Sequence, residues 1–89
     1  MPNMEKFDET QVKTSPVAWN DTDVHVLYRD EMVGGVRLDE HGNNYICWVR
    51  TKKQDQVVNQ ECGRSSSIDT GARSVAEQWC SLTPEERPD

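Results

Sequence analysis

The sequence predicts an α+β domain, in which an antiparallel meander of three or four strands carries one C-terminal amphipathic helix on one face. Two patterns indicate this class. Between residues 24 and 62, short β-branched and aromatic runs alternate with turn-forming Asp, Asn and Gly. Over residues 71–82, apolar residues recur at spacings of three and four. Strands followed by one helix form a two-layer domain.

The four runs differ in how strongly they predict a strand, and the third gives the strongest prediction. In the second run, the pair Gly34 and Gly35 indicates a bulge or a close approach of another chain segment. The third run has large side chains on both faces, so a helix can cover only one of them. The predicted strands are residues 24–29, 32–38, 44–50 and 56–62.

The predicted helix has two possible starts. Asp69 or Thr70 can act as the N-cap, whereas Ser74 and Glu77 have the spacing of a capping box one turn later. Pro84 ends the helical pattern, because proline lacks the N–H that the helix needs. Trp79 lies on the apolar stripe, and we expect it to be the largest anchor of the core.

Composition predicts a small and marginal domain. Leu, Ile, Val and Phe make up only 16 of 89 residues, and the net charge is −6, a combination close to that of disordered chains. A partner protein or a second copy of the chain, as in a homodimer, could complete such a core. Residues 1–22 are expected to be a flexible lead-in, residues 23–84 the single domain, and residues 85–89 an acidic tail.

The cysteines and the apolar pattern favour a cytoplasmic protein. No apolar run reaches membrane-spanning length, and the first residues lack the apolar segment of a signal peptide. Cys47, Cys62 and Cys80 are odd in number and lack Cys-x-x-Cys spacing, which favours free thiols. A cross-strand disulfide between Cys47 and Cys62 is the alternative.

No catalytic, cofactor or metal motif is present. The spacings of His25, His41 and the three cysteines match no zinc finger or ribbon. Cys47 and His25 could meet across neighbouring strands, but a domain of this size has little room for a substrate cleft. We therefore expect a protein that is not an enzyme and needs no cofactor.

Charge divides the chain into acidic flanks and one basic segment, residues 50–64. The isoelectric point near 4.8 argues against a general nucleic-acid binder. The alternative is a nucleic-acid surface on one sheet face and its loop, with Tyr45 or Trp48 between the cations. Its candidate residues are Arg37, Arg50, Lys52, Lys53 and Arg64.

The third strand supplies the main indication of function. If the helix covers one face of the sheet, the other face exposes either Trp48 with Ile46 or Tyr45 with Val49. A small monomer seldom leaves such a patch in water without a partner, so the pattern predicts binding. The candidate partner-binding residues are Tyr45, Trp48, Asp30, Glu31, Asp39 and Glu40.

The chain has a hairpin, a Ser-rich loop and then Ser67-Ile68-Asp69-Thr70, which leads into a helix ending in Trp79-Cys80-Ser81-Leu82-Thr83-Pro84. This order resembles that of two families. Over residues 32–84 the chain resembles the β-sheet-plus-helix DNA-binding domains at the N-termini of tyrosine-type phage integrases, although those are strongly basic. It also resembles small phage-encoded inhibitors of host defence, including anti-CRISPR proteins, in shape and acidity. This second resemblance implies a protein that occludes a host complex, in some cases by imitating nucleic-acid charge.

We therefore expect a small acidic cytoplasmic binding protein, encoded by a phage or mobile element, that inhibits a host protein complex by occlusion. The first alternative is a DNA- or RNA-binding accessory protein that uses residues 50–64. The second is an obligate subunit of a larger complex. No membrane partner is expected.

Overall fold

The computed structural model describes residues 6–17, 20–39 and 41–88. In these residues the chain forms a short 3₁₀ helix, five strands and one α-helix, in that order. The 3₁₀ helix is Glu9–Gln11, and the other elements are β1 Val12–Val17, β2 Asn20–Tyr28, β3 Glu31–Asp39, β4 Asn44–Lys53, β5 Gln56–Ser65 and α1 Ile68–Cys80.

The strands form one antiparallel sheet in the order β1-β2-β3-β4-β5. The predicted α+β class is therefore confirmed, but the predicted count of three or four strands is wrong. The additional strand, β1, lies within residues 1–22, which were assigned to a flexible lead-in. It is an edge strand and contains Pro16, which an edge tolerates because the missing N–H is not needed for pairing there.

Two hairpins turn on residues that are not glycine. Arg29 and Asp30 between β2 and β3 both have positive φ, at 53° and 66°, as do Gln54 and Asp55 between β4 and β5, at 51° and 66°. Two consecutive positive φ values are the pattern of a type I′ turn, whose twist matches that of the flanking strands. Both connections are therefore as short as a hairpin allows.

Helix α1 starts earlier than predicted. Its N-cap is Ser67, whose hydroxyl accepts a hydrogen bond from the backbone N–H of Thr70 at 3.2 Å. The predicted caps at Asp69, Thr70 and Ser74 are therefore wrong, because all three residues lie inside the helix. The helix ends at Cys80, so Leu82 follows it rather than belonging to it.

The core lies between α1 and one face of the sheet. The helix contributes Val75 and Ala76, both 0% exposed, and Trp79, which is 8% exposed. Trp79 is thus buried in the core, as predicted. The strands contribute Val26, Tyr28, Val33, Val36, Cys47 and Val49.

The chain after α1 folds back along β4. β3 pairs with β4 only as far as Val49, and beyond that point the carbonyl oxygen of Glu86 accepts from the backbone N–H of Lys52 at 2.6 Å. The same oxygen accepts from the hydroxyl of Thr51 at 2.9 Å, and Thr51 is buried. The first residues of the predicted acidic tail therefore contact the sheet.

Candidate functional site: the open face of the sheet

One face of the sheet is covered by α1, and we call the opposite one the open face. The described terminal segments also pack on the helix side: the ring of Phe7 stacks on Tyr28, with centroids 6.0 Å apart, and Arg87 lies over Trp79. Within residues 6–17, 20–39 and 41–88, no element packs over the open face. Of the two predicted exposed pairs, the structure therefore leaves Trp48 with Ile46 on the uncovered side.

The strand register places side chains of the open face in two neighbouring rows. His25, Gly35, Trp48 and Glu61 are cross-strand partners in the first row. The second row is two residues further along β3 and contains Asp23, Arg37, Ile46 and Arg64. Between the two rows, Val36 and Cys47 point to the opposite side and are buried under the helix.

The indole of Trp48 lies over Gly35. A Cβ at position 35 would lie 2.5 Å from Cε2 and 2.8 Å from Nε1 of Trp48, so the ring occupies the space that a side chain would need. One side of the ring therefore contacts the backbone of β3, and Trp48 remains half-buried rather than enclosed. Gly35 makes this orientation of the ring possible.

A shallow concavity of ≈ 490 Å³ surrounds this ring. Its lining mixes an aromatic and an aliphatic surface with groups that can donate or accept hydrogen bonds. The residues that supply side chains to it from the two rows and from β5 are Asp23, His25, Arg37, Ile46, Trp48, Asn59 and Glu61.

Of the predicted nucleic-acid residues, four share the open face. Arg37 and Arg64 lie in the row of Ile46, and strand alternation places Arg50 and Lys52 on the same side of β4 as Trp48. Lys53 points to the opposite, helix-covered side of β4. Arg64 already donates to carboxylate oxygen Oδ2 of Asp39 and, at 3.0 Å, to Oδ1 of Asn44.

The predicted partner-binding residues do not form one surface. Tyr45 points to the face opposite that of Trp48 and packs against the core on the helix side. Asp30 and Glu31 lie at the turn between β2 and β3, whereas Asp39 lies at the other end of β3. Glu40 lies outside the described residues.

The Asp39 carboxylate has a shifted titration. The hydrogen bond from Arg64 holds the pKa of Asp39 below its usual range. Asp30 instead lies 3.6 Å from the ammonium of Lys13, in an exposed ion pair of the kind that contributes little.

No family model, no curated protein and no solved structure matches the chain. In the described part of the chain, no helix is long and apolar enough to cross a lipid bilayer. The function is therefore inferred from the residues themselves, and the open face carries that inference.

The cysteines are free thiols, and the alternative disulfide between Cys47 and Cys62 is absent. Burial raises the pKa of Cys47, and it raises the pKa of Cys62 to about 11. Because the thiolate is the reactive species, neither thiol is activated for nucleophilic chemistry. Among the described residues, no three His, Cys, Asp or Glu side chains come together as metal ligands.

Sequence reasoning did not find the row of His25, Gly35 and Trp48. The strands that carry these residues were identified, but the pairing of residues across strands depends on the bulges at Val26/Leu27 and Cys47/Trp48. A signal was nevertheless present, because a glycine inside a strand often marks a close approach of another group. In this protein the approaching group at Gly35 is the indole of Trp48.

Proposed function

We propose that this chain is a non-enzymatic binding protein that docks another macromolecule on the open face of its sheet. One observation carries the proposal: Trp48 and Ile46 lie side by side on a sheet face that no described element covers. Tryptophan and arginine are the residue types most enriched among the hot spots of interfaces, and Arg37 and Arg50 lie on the same face.

The sheet edges are less suitable for docking than the open face. β1 contains Pro16 and cannot offer a full row of donors. β5 has a bulge beside Gly63, which has a φ of 141°. Prolines and bulges are devices by which proteins prevent strand addition at an edge, so docking through the face is favoured.

The charges of the open face indicate which class of partner it can bind. Inhibition of a host protein complex by imitation of nucleic acid needs a contiguous acidic surface. Of the acids predicted to bind a partner, Asp30 and Glu31 lie at one end of β3 and Asp39 lies at the other, where Arg64 neutralises it. The cations on the open face instead favour a partner that carries negative charge.

Site-specific photocrosslinking tests the proposed docking face. A photoreactive amino acid is placed at Ile46, on the open face, and in a second variant at Glu77, on the exposed side of α1. We expect a defined crosslinked species in cell lysate from position 46 and none from position 77, and loss of the former when Trp48 is changed to Ala. Equal crosslinking from both positions, or retention in the Trp48→Ala background, would contradict the proposal.

A further inference from the structure

We propose that the open face binds single-stranded nucleic acid, with one base stacked on Trp48 and the neighbouring phosphates held by Arg37 and Arg50. This inference rests on the proposed function and names its partner. It is carried by the orientation of one ring and by the positions of the cations on either side of it.

The orientation of Trp48 suits base stacking. The Trp48 indole extends along the sheet over Gly35, where it fills the space that a side chain would take, and the half-buried ring keeps part of its surface accessible to a base. Single-stranded nucleic acid is bound largely by stacking of unpaired bases on such rings. A duplex keeps its bases paired and stacked on one another, so it cannot use the ring in this way.

The cations flank the ring along the sheet. Arg37 lies beside Ile46, one row before Trp48, and Arg50 lies on β4 two residues after Trp48. At about 3.4 Å per residue, Arg50 is roughly 7 Å from Trp48 along the strand. A strand with one base on Trp48 would therefore direct one phosphate toward each arginine. Neither arginine makes an ion pair with a described residue, in contrast to Arg64.

The other side chains that line the concavity limit the site to one strand of nucleic acid. His25 and Asn59 can donate hydrogen bonds to base edges, which are accessible only in unpaired strands. The carboxylates of Asp23 and Glu61 lie at the two sides of the concavity and would repel a second phosphate chain. Because only Arg37 and Arg50 lie beside Trp48, with Lys52 further along β4, and the whole chain carries −6, we expect a shallow salt dependence.

Fluorescence anisotropy with the full-length chain tests the proposal. The probes are a labelled oligothymidylate, an oligouridylate, a duplex and the corresponding mononucleotide. We expect at least one single strand to bind, the duplex to bind at least about tenfold more weakly, and the mononucleotide to compete poorly. Trp48→Ala should weaken binding roughly 5- to 150-fold, which corresponds to the loss of one stacked base.

The dependence of the binding constant on salt distinguishes direct phosphate contacts from the overall charge of the protein. For a single strand, each lost phosphate contact should reduce the slope of log K against log salt by about 0.7. Arg50→Gln and Arg37→Gln should each show this reduction. Arg73→Gln removes the same charge from the exposed side of α1, where the arginine side chain is 57% exposed, and should leave the slope unchanged.

A variant that keeps an apolar side chain at position 48 controls for loss of the fold. Trp48→Leu preserves an apolar side chain over Gly35 but removes the aromatic face. It should retain the far-ultraviolet circular dichroism of the parent chain and lose binding as Trp48→Ala does. Unchanged affinity in Trp48→Leu, equal affinity for the duplex, or a mononucleotide that binds as tightly as the oligomer would each overturn the proposal.

The two proposals fail in different ways. If no oligonucleotide binds while position 46 still crosslinks to a nuclease-resistant protein in a Trp48-dependent manner, the open face is a docking surface but nucleic acid is not its partner. If oligonucleotide binding is unaffected by Trp48 and crosslinking is equal at positions 46 and 77, the open face itself is not the docking surface.

Discussion

The guanidinium of Arg87 lies 4.3 Å from the centre of the Trp79 ring and donates a hydrogen bond at 3.2 Å to the carbonyl of Cys80. This contact fastens the chain that follows α1 to the largest side chain of the core. The same segment provides the carbonyl of Glu86 to β4. The residues after the helix therefore complete the domain on the helix side.

Arg87→Ala should lower the free energy of unfolding by about 1 kcal/mol, because a partly desolvated cation–π contact contributes that much. Part of the cost is offset, since Nε of Arg87 is buried without a hydrogen-bond partner among the described residues. Urea unfolding followed by circular dichroism measures the change. The control is Arg73→Ala, whose exposed ion pair with Glu9 spans 3.7 Å and should matter little. Equal effects of the two changes would contradict the assignment.

Tyr28→Phe should destabilise the fold by about 1–2 kcal/mol. The Tyr28 hydroxyl accepts from the backbone N–H of Asp8 at 2.9 Å and donates to the carbonyl of Lys6 at 3.2 Å. Removing the hydroxyl leaves both partly buried backbone groups without this partner. Tyr45→Phe is the matched control, because Tyr45 packs against the same core with no hydroxyl hydrogen bond to the described residues. Thermal or urea unfolding of the two variants should therefore differ.

Acid should weaken the fold through Asp39. Its pKa is lowered in the folded chain by Arg64, so its contribution is complete above the unfolded value, about 3.9, and is lost as the pH falls through the folded value. In Asp39→Asn, the midpoint of urea unfolding should depend less on pH below about 5. Glu77→Gln removes the same charge on α1 and should retain the parent dependence. Parallel pH profiles for parent chain and Asp39→Asn would exclude this role.

Much of the fold follows from pattern alone. The runs at residues 24–29, 32–38, 44–50 and 56–62 each overlap one observed strand, β2 to β5 in order, because alternation of apolar and polar residues is a direct consequence of a sheet buried on one side. The amphipathic stripe likewise predicted α1 and the burial of Trp79. Both inferences depend only on local periodicity.

The parts that were missed depend on partners distant in sequence. β1 has one proline and few apolar residues, and it becomes a strand only because β2 offers a free edge. Turns were predicted between these strands, but the first was placed one residue late and the second was given as residues 51–55, because the two-residue turns use Arg29, Asp30, Gln54 and Asp55 at positive φ without glycine. The face that stays open was also not predictable, because it depends on the side of the sheet to which α1 returns.

The two adjacent glycines of β3 should differ in how strongly alanine destabilises the fold. At Gly34 a Cβ would meet the backbone carbonyl of Trp48 and, at 2.5 Å, Cγ1 of the buried Val75. Neither group can move aside in a packed core, so Gly34→Ala should cost about 3 kcal/mol or more.

At Gly35 the obstacle is the indole of Trp48, a side chain that can swing toward solvent because no described element covers the open face. Gly35→Ala should therefore keep the fold at a cost of about 1 kcal/mol, shift tryptophan emission to longer wavelength, and weaken binding of single strands as Trp48→Ala does. Denaturant unfolding, emission spectra and anisotropy measured on the two variants separate the effects. If Gly35→Ala bound like the parent chain, the position of Trp48 over Gly35 would have no part in recognition, because the methyl group displaces the indole from that position without removing it from the protein.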